Sequence, residues 1–136
     1  MEVLVVDDRP AIRRLLTEAL DGLGCRVRAA GSGREALELL RDSCPGAVLL
    51  DLKMPGMDGL EVLREIRRLH PALPVVLMTA YGEVGWQEAA AALGVRQSLL
   101  KPFSLSDVRQ VVHALQEGAE ARDFREEIGS GRRTNL

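Results

Sequence analysis

Side chains that handle phosphate and metal stand at equivalent places in this sequence. Asp7 and Asp8 follow the apolar run from Val3 to Val6, Asp51 follows Ala47 to Leu50, Thr79 follows Val75 to Met78, and Lys101 follows Leu99 and Leu100. Carboxylates held close raise one another's pKa, and burial adds to that cost, so three of them at one place require a cation. Oxygen-only ligands favour magnesium, a hard octahedral ion that takes one or two carboxylates and fills its remaining positions with water and phosphate oxygen. Lys101 then offers positive charge to a phosphoryl oxygen, and Thr79 offers a hydroxyl hydrogen bond. Phosphoryl transfer needs little beyond in-line placement, a bridging metal and fixed donors. Asp51 is, on this reading, either a metal ligand or the nucleophile. No histidine base is required, and the two histidines, His70 and His113, fall at a helix end and within a helix, where ordinary surface roles are expected.

The elements that must bring these residues together are legible from the same runs. Short continuous apolar runs alternate with longer stretches of helical spacing, the pattern of repeated βα units. Strands that are apolar on both sides imply a parallel sheet with helices above and below. The segment from Cys25 to Ala30, interrupted by Arg26 and Arg28, is expected at a sheet edge. In such a sheet, ligands bind outside the carboxyl ends of the strands, where the chemistry-bearing residues stand.

Pro10 fits a first helical position, and Ile12, Leu16, Ala19 and Leu20 supply a buried stripe behind it. Ser32 with Glu35 predicts a capping box ahead of Ala36, Leu37, Leu39 and Leu40. Leu60, Leu63 and Ile66 mark a helix over 59–69, closed by His70-Pro71. An alanine-rich helix is expected over 84–93 with Gly94 as its cap, and a last helix from about 105 to 115. Five strands and five helices result.

A chain of 136 residues with 46% hydrophobic content suits one core, expected over 1–120, followed by a polar tail or helical extension over 121–136. A formal net charge of -2 with both signs interspersed leaves no basic footprint for nucleic acid. Cys25 and Cys44 lack metal-ligand spacing and no apolar leader precedes the first charges, so a reduced, cytoplasmic location is expected. No apolar run approaches a membrane span.

Taken together, Val5-Val6-Asp7-Asp8, the run from Leu50-Asp51 through Lys53-Met54-Pro55-Gly56-Met57-Asp58-Gly59, Met78-Thr79-Ala80 and Lys101-Pro102-Phe103 resemble the receiver domain of two-component response regulators over residues 2 to about 117. The resemblance implies a flavodoxin-like α/β fold, with a five-stranded parallel sheet in the order 2-1-3-4-5 flanked by five helices. It implies that Asp51 takes a phosphoryl group from phosphohistidine on a sensor histidine kinase or histidine phosphotransfer protein, to form 4-aspartylphosphate. It further implies that Asp8, Asp51 and the backbone carbonyl of Lys53 ligate Mg²⁺ with help from Asp7, that Thr79 and Lys101 hold the phosphoryl oxygens, and that the Lys101-Pro102 bond is cis. The protein would be a phosphoacceptor switch that catalyses its own phosphoryl transfer from the donor and its own dephosphorylation, rather than a conventional enzyme.

Within that family the Met78 to Glu83 segment and the Lys53 to Gly59 loop are similar to stand-alone sporulation phosphorelay regulators and to receivers of nitrogen-regulatory activators. A stand-alone relay protein with a downstream relay partner is the favoured expectation, and a receiver fragment of a multidomain transcription activator is the alternative. An aspartyl-phosphate phosphatase of the haloacid-dehalogenase type is disfavoured, because it needs an acid two residues after the nucleophile and Lys53 stands there. A nucleotide- or flavin-binding module would want a glycine-rich loop where Asp7-Asp8-Arg9-Pro10 stands. Ser98 departs from the aromatic common three residues before the lysine, which places the aromatic part of the family's switch in question. Arg9, Lys53 and Tyr81 border the site. Leu15, Pro102 and Phe103 are candidates for an apolar docking patch, whereas Ile12 is expected in the core and Trp86 in packing.

Overall fold

In the computed structural model, which describes residues 1–127, strand and helix alternate along the chain. The elements are β1 (Glu2–Val6), α1 (Pro10–Asp21), β2 (Arg26–Ala30), α2 (Gly33–Asp42), β3 (Ala47–Asp51), α3 (Gly59–Leu69), β4 (Val75–Ala80), α4 (Gln87–Ala92), β5 (Gln97–Lys101) and α5 (Leu105–Glu127). The five strands form one parallel sheet in the order β2-β1-β3-β4-β5, so the arginine-bearing β2 is an edge.

Successive strand residues point to opposite faces, and the sheet therefore builds two cores. Leu4, Val6, Val48, Leu50 and Leu77 pack with Ala36 and Leu40 of α2 and with Val62, Leu63 and Ile66 of α3. Val3, Val5, Leu49, Val76 and Met78 pack on the other face with Leu16 and Leu20 of α1 and with Val108, Val112 and Leu115 of α5. Each fully buried leucine or valine contributes about 1.5–3 kcal/mol relative to exposure. These two layers fix the sheet, and with it the positions of the strand ends.

Local chemistry accounts for the helix boundaries. Pro10 occupies the first turn of α1. Ser32 caps α2 by accepting from the Glu35 N–H at 3.1 Å, but the Glu35 carboxylate reaches past it to the Gly31 N–H at 2.7 Å, so the expected box is not reciprocal. The reciprocal box stands at α3, where Asp58 accepts from the Glu61 N–H and Glu61 from the Asp58 N–H, each at 3.0 Å. The helix expected over 84–93 is shorter because Gly82 (φ 92°) and Gly85 (φ 83°) hold the preceding segment in left-handed turns. The last helix continues past 115 and through 120 to Glu127, as a helical extension rather than a separate tail over those residues; 128–136 lie outside the described residues. His70 is half-buried rather than a free surface residue, with Nε2 2.6 Å from the Leu40 carbonyl, and so ties α3 to α2. His113 is exposed beside Glu117 at 3.2 Å.

Candidate functional site

The carboxyl ends of β1, β3, β4 and β5 meet at one edge of the sheet, and the residues predicted from the sequence stand there. Asp7 follows β1 directly and is fully buried. Its backbone N–H donates to the Ala30 carbonyl at 3.1 Å, extending the β1–β2 pairing by one residue. The Arg13 guanidinium donates to the Asp7 carbonyl at 2.8 Å, and so α1 clamps the same peptide.

Both oxygens of the Asp7 carboxylate are engaged. Oδ1 accepts from the Arg9 N–H at 2.9 Å, and Oδ2 accepts from Lys101 Nζ at 2.7 Å. Lys101, with a side chain only 10% exposed, also lies 3.2 Å from Asp51 Oδ1. One ammonium therefore bridges two carboxylates that arrive from β1 and β3. Asp8 is more open, yet a carboxylate oxygen from each of Asp7, Asp8 and Asp51 lies within 4.8 Å of the others.

Asp51, 4% exposed, closes β3 in register with Met78. Its carboxyl is held above the usual carboxylate range, first by burial and then by the charge of Asp7. Lys101 and a hydrogen bond from the Lys53 backbone oppose that shift without cancelling it. An all-oxygen cluster that is short of positive charge matches what a hard divalent cation binds, and the donor set fits Mg²⁺. Thr79, also buried, stands one residue beyond Met78 on β4, and the next residue, Ala80, is in register with Lys101.

α3 presses closely on this edge. The Gly59 N–H donates to the Leu52 carbonyl at 2.8 Å, and a Cβ built on Gly59 would lie 2.5 Å from the Asp51 carbonyl oxygen and 2.7 Å from the Leu52 Cα. The start of the helix thus braces the peptide that carries Asp51, and only glycine fits.

The bordering residues divide. Arg9 remains solvent-facing with Nε 3.7 Å from Asp7, Lys53 presents its side chain outward, and Tyr81 is 90% exposed. Leu15 is half-exposed and Pro102 is exposed, while Ile12 and Phe103 pack against the α1–α5 core and Trp86 against the opposite one. The Lys101-Pro102 bond is cis. Ser98 is exposed on β5. Glu83, which the sequence reading passed over, turns its side chain back to the Ala80 N–H at the end of β4. A carboxylate three residues after a strand end was the available signal. Among the described residues, no helix is long and apolar enough to cross a membrane.

Comparison with known proteins agrees with this arrangement. The family model described as "Response regulator receiver domain" matches residues 3–113. The chain is 37% identical to sporulation initiation phosphotransferase F of Bacillus subtilis over 111 residues, covering 82% of this chain and 90% of that protein. It is 37% identical to the regulatory protein AtoC of Escherichia coli over 126 residues, where the match covers 93% of this chain but 27% of AtoC. The crystal structure of the receiver domain of NtrX from Brucella abortus superposes with a TM-score of 0.75 at 34% identity, covering 85% of this chain and 98% of that one. With its sheet order, its strand-end cluster and the family match all in agreement, the chain belongs to the response regulator receiver domain family.

Proposed function

We propose that this chain accepts a phosphoryl group on Asp51 in a Mg²⁺-dependent reaction with a histidine kinase or histidine phosphotransfer protein. The observation that carries the reading is the convergence of Asp7, Asp8 and Asp51 around Lys101 at one strand-end edge. In the transfer, the P–N bond of phosphohistidine breaks, the imidazole leaves with the electron pair, and an Asp51 carboxylate oxygen forms the new P–O bond. Mg²⁺, when bound, neutralises the carboxylates and screens the incoming phosphate.

Asp8, Asp51 and the Lys53 carbonyl are the residues assigned to the metal, with Asp7 supporting. Asp7 also orients Lys101, whose ammonium is assigned to a phosphoryl oxygen together with the Thr79 hydroxyl. Attack of water on the phosphorus of the aspartyl phosphate, a mixed anhydride, breaks its P–O bond to Asp51, regenerates the carboxylate and releases inorganic phosphate, which accounts for autodephosphorylation with the same donors on the phosphoryl oxygens. Residues 1–120 form the receiver unit in this reading, and its compartment is the cytoplasm.

The 37% identity to sporulation initiation phosphotransferase F supports a relay role, in which the phosphoryl group is passed on to a downstream protein. The exposed Ser98 supports the same direction, since it supplies no aromatic ring to couple the site to an output face. The second reading, a receiver belonging to a longer activator, draws on the match to about a quarter of AtoC. Incubation with Mg²⁺ and acetyl phosphate should add one phosphoryl mass to the wild type and none to Asp51→Asn. Equal labelling of both proteins, or of neither, would refute the assignment.

A further inference from the structure

The end of β4 carries a backbone donor whose present partner is a side chain rather than another strand. Along a strand, alternate peptide groups face the same neighbour. Leu52 N–H donates to the Met78 carbonyl at 2.9 Å, so the peptide groups of Met78 face β3, and those of Ala80, two residues on, face the same side. That is the side on which Asp51 ends its strand. The ladder does not continue there: the Leu52 carbonyl accepts from the Gly59 N–H at 2.8 Å, and the Ala80 N–H goes to a side chain.

Glu83 fills the gap from within the turn. Its Oε1 accepts from the Ala80 N–H, and its own N–H donates to the Ala80 carbonyl at 3.2 Å. The other carboxylate oxygen, Oε2, is buried without a hydrogen-bond partner. A buried acceptor left unpaired destabilises the arrangement that buries it. The contact is therefore strong at one oxygen and costly at the other, which makes it exchangeable for a better acceptor.

We infer that Glu83 is a tethered competitor: its carboxylate occupies the Ala80 N–H in the unphosphorylated chain and leaves it when a phosphoryl group on Asp51 takes that donor. The inference rests on the reading of Asp51 as phosphoacceptor. Glu83 acts as a positioning residue, with two effects. It satisfies a donor aimed at the site, and its negative charge opposes the arriving phosphoryl group until the turn opens. Swinging Glu83 outward would also free the turn that holds the exposed residues Tyr81 and Val84, which gives the phosphorylated state a local readout without an aromatic at position 98.

The test compares wild type, Glu83→Gln and Glu83→Ala with acetyl phosphate and Mg²⁺, following phosphorylation by intact mass and the Ala80 amide by ¹H–¹⁵N NMR. Glu83→Ala should accept phosphoryl faster by about tenfold, the scale of one hydrogen bond to a charged group no longer having to break. Glu83→Gln keeps an acceptor but loses the charge, and should fall between. In wild type the Ala80 amide should shift on phosphorylation, and in Glu83→Ala its unphosphorylated resonance should already have left the wild-type position. Rates within twofold of wild type for both variants, or an Ala80 amide unmoved by phosphorylation, would overturn the inference while leaving Asp51 as acceptor. No phosphorylation of wild type would instead remove the parent reading, and this inference with it.

Discussion

Replacing Lys101 by methionine removes the single cation that touches both buried carboxylates while keeping the length and apolar stem of the side chain. The ammonium stands 2.7 Å from Asp7 and 3.2 Å from Asp51. Removing one partner of a buried ion pair costs about 3–5 kcal/mol, because the other charge is left uncompensated. Asp51 can relieve part of this by taking up a proton, since its carboxyl already lies above the ordinary range and loses an opposing influence when Lys101 goes. A cost of about 3 kcal/mol at neutral pH, or a fall in melting temperature of roughly 10 °C, follows for Lys101→Met without metal.

The sign of its pH dependence is fixed as well. A carboxyl raised in the folded state holds more protons there than when unfolded, so its contribution to stability declines as pH rises from the unfolded value through the folded one. The gap between Lys101→Met and wild type should therefore widen from mildly acidic to neutral pH. Saturating Mg²⁺ should narrow it, because the variant's site is the more negative and binds the ion more tightly; a tenfold difference in affinity returns about 1.4 kcal/mol. Urea denaturation across pH, with Mg²⁺ and with a chelator, measures all three. A gap below about 1 kcal/mol, or one indifferent to both pH and Mg²⁺, would refute this account of the site.

Two further perturbations probe the same edge. Asp51→Asn removes the carboxyl that burial and Asp7 disfavour, and should raise the urea midpoint in chelator while reducing the extra stability that Mg²⁺ gives to wild type. Gly59→Ala places a Cβ 2.5 Å from the Asp51 carbonyl, 0.9 Å short of the 3.4 Å at which such contacts become ordinary. Both neighbours there are backbone, so a loss of about 2–3 kcal/mol by denaturation and slower phosphorylation by acetyl phosphate should appear together.

Much of the site is legible in the sequence because a parallel βα fold places chemistry at strand ends, and apolar runs reveal where strands end. Asp7, Asp51, Thr79 and Lys101 are each next to or at the close of such a run. The α2 and α3 starts show the limits of local signals: Ser32 and Glu35 have the box spacing, yet Gly31 offers Glu35 a competing donor, while Asp58 and Glu61 form the reciprocal pair. The end of α5 is less legible because its apolar stripe stops near Leu115, while helical backbone does not need burial to continue to Glu127. Glu83 is legible only as a carboxylate three residues past a strand end, because its partner is a peptide N–H and residue types alone do not say which backbone donors a sheet leaves unpaired.

The Lys101–Asp7 contact joins residues 94 apart in the chain. Its formation must wait for β5, the last strand, to dock on β4, and closing so long a loop is slow relative to local structure. β1, β2 and β3 can pair as a unit before that, with Asp7 and Asp51 already side by side and no ammonium between them. Pairing of β1 with β3 thus brings the two acids together, and only the docking of β5 brings the cation that reconciles them. Folding ends where the chemistry begins, and a chain interrupted before Lys101 has the acceptor without the means to use it.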